Sequence, residues 1–284
     1  MILGGDITGK ALIPIIESPN GQFKTEYLGR ETTLKNKQEL NEMVQLISDS
    51  GAYPLLCDPD EHEKLTNDPV YRETLFKKLI VQRVKEWVTL AEERLAGTGV
   101  ETYIMPGNDD YFEIDEVLNH SRYVINPENR VVKVAEKYEM ISSGYVNMTP
   151  WKAPRDIPDE KLEQIIEGMA GQLTDPKNAI FDLHAPPYNC SIDQAPLLDE
   201  TLKPVIKGGE IVMTHVGSLA VRKAIEKHQP LLGLHGHIHE SRGVAKIGRT
   251  ICINGGSDYA SGSLYGAVIV LENGKVKSYL LTVG

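Results

Sequence analysis

His235-Gly236-His237-Ile238-His239-Glu240, directly after the apolar run Pro230 to Leu234, is the stretch from which the chain is read. A short strand that ends in Gly-His-x-His sets both imidazoles at one strand end, within reach of a shared centre. Core packing has no use for three histidines in five residues. A solvated polar loop accounts for any one of them and poorly for the set. Neutral imidazole is the commonest side-chain metal ligand, so the stretch reads as part of a metal site with further ligands elsewhere.

Three other segments have the same form, a short apolar strand ending in a ligand type. They are Ile2-Leu3-Gly4-Gly5-Asp6, Tyr103-Ile104-Met105-Pro106-Gly107-Asn108-Asp109-Asp110, and Ile180-Phe181-Asp182-Leu183-His184-Ala185-Pro186-Pro187. Open α/β sheets build their sites at such strand ends. The glycines before Asp6, Asn108 and His237 let the backbone turn sharply toward a centre. A carboxylate, an amide carbonyl and several imidazoles suit Mn, Fe or Zn better than Ca.

Around these segments the pattern is mixed. Ala11 to Glu17 and Gln22 to Leu28 flank Asn20-Gly21 and read as a hairpin. Leu40, Met43, Val44 and Ile47 recur at helical spacing before Gly51, and a longer helix follows Pro69 with Phe76, Ile80, Val84, Trp87, Ala91 and Leu95 on one stripe. From Val100 short strands alternate with turns, with helices at about 158–173 and 218–228. The end of the chain is strand-rich, with a second Asn-Gly turn at Asn273-Gly274. The expectation is a single α/β domain over 1–284, with a helical insertion at about 31–96.

The composition is that of a globular protein, 41% hydrophobic and 25% charged in 284 residues. No apolar run is long enough for a transmembrane helix, and the N-terminus lacks a signal-peptide pattern. Three cysteines, far apart and odd in number, argue against a disulfide framework and for a cytoplasmic setting. A net charge of −10 argues against broad electrostatic binding of nucleic acid. An exonuclease role stays open, because metals alone can draw in a substrate, and homo-oligomerisation is left open too.

Taken in order, Gly5-Asp6, Gly107-Asn108-Asp109, His184 with Pro186-Pro187, and Gly236-His237-Ile238-His239 resemble the motifs of the calcineurin-like metallophosphoesterases. The Gly-Asn-Asp-Asp form is similar to the Icc-related branch of predicted phosphoesterases. The likeness runs from Gly4 to about Gly266 and takes in Thr214-His215-Val216-Gly217-Ser218 and Asn254-Gly255-Gly256-Ser257. It implies an α/β fold, a two-layer β-sandwich flanked by helices, with a dinuclear divalent-metal centre at one edge. By position, Asp6 would bridge the metals, Asn108, His184 and His237 would complete the second site, and His239 would bind the first. Such a centre hydrolyses a phosphomono- or phosphodiester of a small substrate through metal-bound hydroxide.

Two departures from that pattern shape the expectation. The family's Asp-x-His motif belongs upstream of Gly5-Asp6, where the chain has no room for it, so an N-terminal strand is expected to be missing. Asp60-Glu61-His62 and Asp182-Leu183-His184 match the motif literally, but the first lies in a polar loop and the second reuses His184. One metal should then bind far better than two, with weak activity, and a non-catalytic or truncated phosphoesterase-like binding protein is the other reading. The second departure is Asp109, where relatives carry a leaving-group acid. Asp109, His215 or metal-bound water would serve, or Asp109 merely positions Asn108.

Lys10, Tyr188 and Asn189 are candidate substrate contacts. Gly4-Gly5-Asp6-Ile7-Thr8-Gly9-Lys10-Ala11 approaches a P-loop but has Ala11 where Ser or Thr should hold Mg²⁺. His235 reads as a support behind the ligands, whereas His62, His120 and His228 read as surface.

Overall fold

Ile180-Phe181-Asp182-Leu183 is a strand with all four residues buried, and the larger part of the molecule is layered about it. The computed structural model describes residues 1–258 and 261–284. They form two units, one of Met1–Ile7, Val88–Asp258 and Ser263–Gly284, the other of Thr8–Trp87 with the described part of Tyr259–Gly262.

In the first unit a six-stranded sheet has the order β18 (Gly243–Ile247), β19 (Thr250–Asn254), β17 (Leu232–His235), β12 (Ile180–Leu183), β9 (Tyr138–Ser143) and β8 (Val131–Val134). The four inner strands are parallel and the two edge strands antiparallel. Side chains alternate across a strand, so neighbouring residues enter different layers. Ile141, Phe181 and Leu183 pack with Leu162 and Ile166 of α5 (Asp159–Ala170) and Val221 and Ile225 of α6 (Leu219–His228). Met140, Ile180, Leu232 and Ile253 pack instead with Ile2, Tyr103 and Ile125. Those three belong to a parallel sheet of β1 (Ile2–Gly4), β6 (Thr102–Met105) and β7 (Val124–Ile125), with β6 in the middle. Ile269 and Leu281 of the hairpin β20 (Tyr265–Glu272) and β21 (Lys275–Val283) join the same cluster.

The remaining elements of this unit are short. β10 (Val146–Asn147) pairs with β11 (Asp156–Ile157), β13 (Gln194–Pro196) with β16 (Met213–His215), and β14 (Ile206–Lys207) with β15 (Glu210–Ile211). Helix α4 (Glu113–Asn119) follows the Asn108 loop. The architecture is mixed α/β. No helix among the described residues is long and apolar enough to cross a membrane.

The second unit has a sheet of order β4 (Arg30–Leu34), β3 (Phe23–Tyr27), β2 (Leu12–Glu17) and β5 (Tyr53–Cys57), with α1 (Lys37–Asp49) and α2 (Pro59–Asn67). Ile15, Phe23, Leu34 and Ile47 form its core. Helix α3 (Pro69–Leu95) begins here. The stretch 31–96, expected to be helical, thus contains most of β4 and all of β5, where Tyr53 to Cys57 pairs in parallel with β2 at the sheet edge. Pro54 is tolerated there, as an edge strand leaves one backbone side unpaired.

Several turns close with positive φ at two successive residues, and two of them differ sharply in sequence. Asn273 and Gly274 adopt φ +52° and +69° between β20 and β21, as the Asn-Gly signal requires. Between β8 and β9 the same conformation falls on Ala135 and Glu136, both at φ +52°, with Lys137 N–H bonded to Val134 O at 3.1 Å. Left-handed backbone at an ordinary L-residue costs roughly 1–2 kcal/mol. Ala135→Asn with Glu136→Gly should therefore stabilise the protein by about 1 kcal/mol, a Tm increase of roughly 2–4 °C in thermal melts. An unchanged Tm would mean that the turn stores no strain.

Candidate metal centre

Asp6 follows β1 through Gly4-Gly5, with Gly5 at φ +102° and Asp6 at φ +50°. A Cβ on Gly5 would fall 2.5 Å from His184 Nδ1, so only glycine allows the two strand ends to meet. His184 follows β12, is 2% exposed, and places Nδ1 2.7 Å from Gly4 O and Nε2 3.0 Å from Asp6 Oδ2. A carbonyl only accepts, so Nδ1 carries a proton. In the neutral ring Nε2 then presents its lone pair beside a carboxylate oxygen.

His237 follows β17. Ile238 N–H donates to Gly236 O at 2.7 Å, a three-residue turn that holds His237 at φ +63°. Positive φ at a non-glycine residue is strained and persists where the surroundings impose it. The Nδ2 of Asn254, fully buried at the end of β19, fixes this turn by donating to Ile238 O at 2.8 Å. Gly236 N–H donates to His184 O at 3.0 Å, tying the two histidine-bearing ends together. His235 is buried, with Nδ1 2.8 Å from Leu183 O and 3.0 Å from Ala185 O. Burial pushes its imidazole down to about 4, so it supports the His184 backbone as a neutral donor.

The third strand end carries Gly107-Asn108-Asp109-Asp110 after β6. A Cβ on Gly107 would lie 2.2 Å from Asp6 N and 2.8 Å from His184 Nε2. Asp110, fully buried, accepts from Ile7 N at 3.0 Å and Gly107 N at 2.7 Å and so fastens this loop to the Asp6 loop. Asp109 N–H donates to Asp6 Oδ1 at 3.0 Å. Asn108 is 3% exposed, and its Oδ1 is buried without a hydrogen-bond partner.

Asp6, His184 and His237 each offer a donor atom, and these atoms lie within 4.8 Å of one another. Three observations test whether a divalent cation fits. His184 Nε2, although 3.0 Å from Asp6 Oδ2, makes no aligned hydrogen bond; side-by-side lone pairs suit two ligands of one cation. Asn108 Oδ1 is an orphaned oxygen on the adjoining loop. One carboxylate with two imidazoles is a donor set for a first-row metal. The residues fit. Without a metal, burial opposes ionisation of Asp6, but the charge and contact of His184, the His237 charge and the Asp109 N–H together outweigh it and hold the carboxyl well below the usual carboxylate range. Burial likewise works against a charged His184, and the charge and contact of Asp6, the Gly4 carbonyl and the Asp110 charge together reverse this, carrying the imidazole up to about 9. Asp182, on β12, is pushed by burial up to about 7 and is 3.4 Å from Ser142 Oγ.

The other predicted site residues are placed as follows. His239 opens a short 3-10 turn, His239–Ser241, and stands outside the three-residue group. His215 ends β16 and contacts Asp193, its Nδ1 being 2.6 Å from the carboxylate of that fully buried residue. The ring of Tyr188 meets His215 edge-on at 6.0 Å. Asn189, at φ +59°, donates its N–H to Asp193 Oδ2 at 2.9 Å. Lys10 belongs to the second unit, where β2 rather than a helix follows it. His228 is not a bare surface residue, since Nε2 is 3.0 Å from Glu167 Oε1 on α5. Asp156 and Asp193 have no signal in the sequence, and nothing there marks Asp110 of the Gly-Asn-Asp-Asp run as an anchor, because an acidic residue in a loop has no telling spacing.

No family model matches the chain. It is similar to the uncharacterized protein MJ1162 of Methanocaldococcus jannaschii, 33% identical over 157 residues. That match takes in 55% of this chain and spans 63% of the relative's length. A solved crystal structure aligns with 86% of the chain and 90% of its own at 16% identity, TM-score 0.47. The crystal structure of TT1561 of Thermus thermophilus aligns with 72% of the chain and 79% of its own at 17% identity, TM-score 0.44.

Gly107→Ala forces backbone apart at Asp6, and should lower Tm and weaken Mn²⁺ binding at least tenfold in calorimetric titration; retained binding would mean the loops are not packed as described. The charged His184 has a raised pKa, so its contribution to stability is complete below pH ~6.5 and lost as pH rises through about 9. Asp6, with a lowered pKa, contributes above its ordinary titration near pH ~4 and loses this on acidification. Metal-free protein should therefore melt at lower temperature at pH ~9 than at pH ~6.5, a difference that His184→Gln removes. Metal must displace the His184 proton, so apparent Mn²⁺ affinity should climb over the same range.

Proposed function

We propose that this protein is a metal-dependent phosphoesterase of the calcineurin-like kind, acting on a phosphomono- or phosphodiester. The observation that carries the reading is the convergence of Asp6, His184 and His237 from three separate segments onto one group of donor atoms. The four motifs quoted from the sequence support it, as does a layered unit in which helices cover one face of a six-stranded sheet and a second sheet covers the other. The two-layer sandwich flanked by helices belongs to the same proposal.

Asp6, His184 and His237 would hold a Mn, Fe or Zn ion, with Asn108 adding an oxygen. Such an ion supplies Lewis acidity toward a phosphoryl oxygen and acidifies water. The chain contributes the rest. Asp110 and the Asp109 N–H keep Asp6 oriented, and the Gly4 carbonyl fixes the tautomer of neutral His184 so that the Nε2 lone pair would be free to hold the ion. His215, paired with Asp193, and Asp109, whose N–H bonds Asp6, are the residues proposed to protonate a leaving oxygen. Because His239 stands outside the group, the proposal is one well-formed metal position rather than two equal ones.

A second reading, a binding protein without catalysis, draws on the Asp6–His184 pair, whose opposite charges stabilise each other when His184 is protonated. Metal stoichiometry, with Mn²⁺-dependent hydrolysis of bis-p-nitrophenyl phosphate, separates the two. One tightly bound ion with measurable turnover is expected, falling by at least two orders of magnitude in Asp6→Ala and His237→Ala. His239→Ala should keep the tight ion. No metal and no turnover would overturn the enzyme reading.

A further inference from the structure

Asn108 is an amide whose two ends have opposite fates. Its Nδ2 donates to Asp156 Oδ1 at 3.1 Å and to Asp109 Oδ1 at 3.4 Å. Carboxylate oxygens accept hydrogen bonds, so the nitrogen end must face them, and the flipped amide is excluded by chemistry. The carbonyl end is thereby turned away from both acids, and this buried oxygen has no hydrogen-bond partner. A buried oxygen left so is unfavourable, and a cation is one partner that would satisfy it. Both chain neighbours of Asn108 touch the ligand group, Gly107 by its tight packing on Asp6 and His184, Asp109 by its N–H to Asp6.

Asp156 is itself held firmly. Its Oδ2 accepts from Thr149 N at 3.1 Å, from Ala153 N at 3.0 Å and from the Thr149 hydroxyl. Next to it, Arg155 is 1% exposed and grips the Asn108 loop. Its N–H donates to Asn108 O at 3.2 Å, its Nε to Asp110 O at 3.2 Å, and its guanidinium pairs with Asp115 at 2.6 Å and lies 4.4 Å from the Phe112 ring centre.

We propose that Asp156 is a positioning residue of the metal centre: by taking the Asn108 amide nitrogen it presents Asn108 Oδ1 as an oxygen donor alongside Asp6, His184 and His237. The inference rests on the metal reading above. Hydrogen-bond partners of metal ligands decide which atom a ligand offers, and their loss typically costs about 10–100-fold in affinity.

The test is calorimetric titration of Mn²⁺ into the full chain and its variants. Asp156→Asn keeps an oxygen for Thr149 and Ala153 but sets NH₂ against NH₂ at Asn108, so the Asn108 amide rotates and withdraws Oδ1. The expected result is a Kd raised about 10–100-fold. In an Asn108→Ala background the same substitution should add no further loss, whereas additive losses would mean that Asp156 acts through its loop alone, overturning the proposal. Exchanging donor and acceptor, Asn108→Asp with Asp156→Asn, should bring Kd back to within about tenfold of the unsubstituted chain. That pair decides the matter if Asp156→Asn fails to fold, and failure to recover would count against the proposal. An unchanged Kd in Asp156→Asn overturns the positioning role and leaves the metal reading standing. Absence of Mn²⁺ binding by the unsubstituted chain takes down both.

Discussion

The His184 imidazole is the joint on which the larger unit closes. Its ring stands at the end of the central strand of the six-stranded sheet and reaches, through one nitrogen, the main chain of the three-stranded sheet at Gly4 and, through the other, the side chain of Asp6. Each contact constrains the other: the Gly4 carbonyl sets the tautomer, and the tautomer determines what Asp6 meets. The neighbouring glycines exist in service of this joint, since side chains at Gly5 or Gly107 would occupy the space the ring and its carboxylate partner need. The histidine also answers to a third strand end, through the Gly236 N–H bonded to its own carbonyl. Remove the imidazole and two sheets lose their shared corner.

Strain gathers at the same place. Asp6 and His237 both adopt left-handed backbone conformations that ordinary residues avoid. Neither turn is left to itself: Asp110 takes the N–H groups of Ile7 and Gly107 beside the Asp6 corner, and Asn254 clamps the carbonyl that follows His237. Strained backbone over-determined by buried hydrogen bonds is how a fold holds side chains at fixed separations.

Much of this was legible in the residue pattern. Short apolar runs ending in Gly-Asp, Gly-Asn-Asp, His and Gly-His-x-His carry a strand and a ligand in the same few letters, and three of these four ends meet in the donor group. The Asn20-Gly21 and Asn273-Gly274 turns were legible because positive φ favours those residues. The turn at Ala135-Glu136 was not, since tertiary packing imposes the conformation on residues that do not advertise it. Strand β5 was hidden inside a helical stretch because a five-residue run with a proline has too few positions to show a period. His239, expected at a separate metal position, opens a 3-10 turn just past His237 and Ile238 and is not one of the three grouped donors. Asp156 and Asp193 act across loops, where nothing in local sequence distinguishes an anchor from a solvated acid.

The hydrogen bond from His184 to Gly4 joins residues 180 positions apart. Chain entropy makes so distant a pairing slow to form, and it becomes favourable only after nearer contacts have shortened the intervening loop. The corner where the sheets meet would thus form late in folding. An ion bound there, as proposed, would then meet a finished fold and seal it rather than seed it.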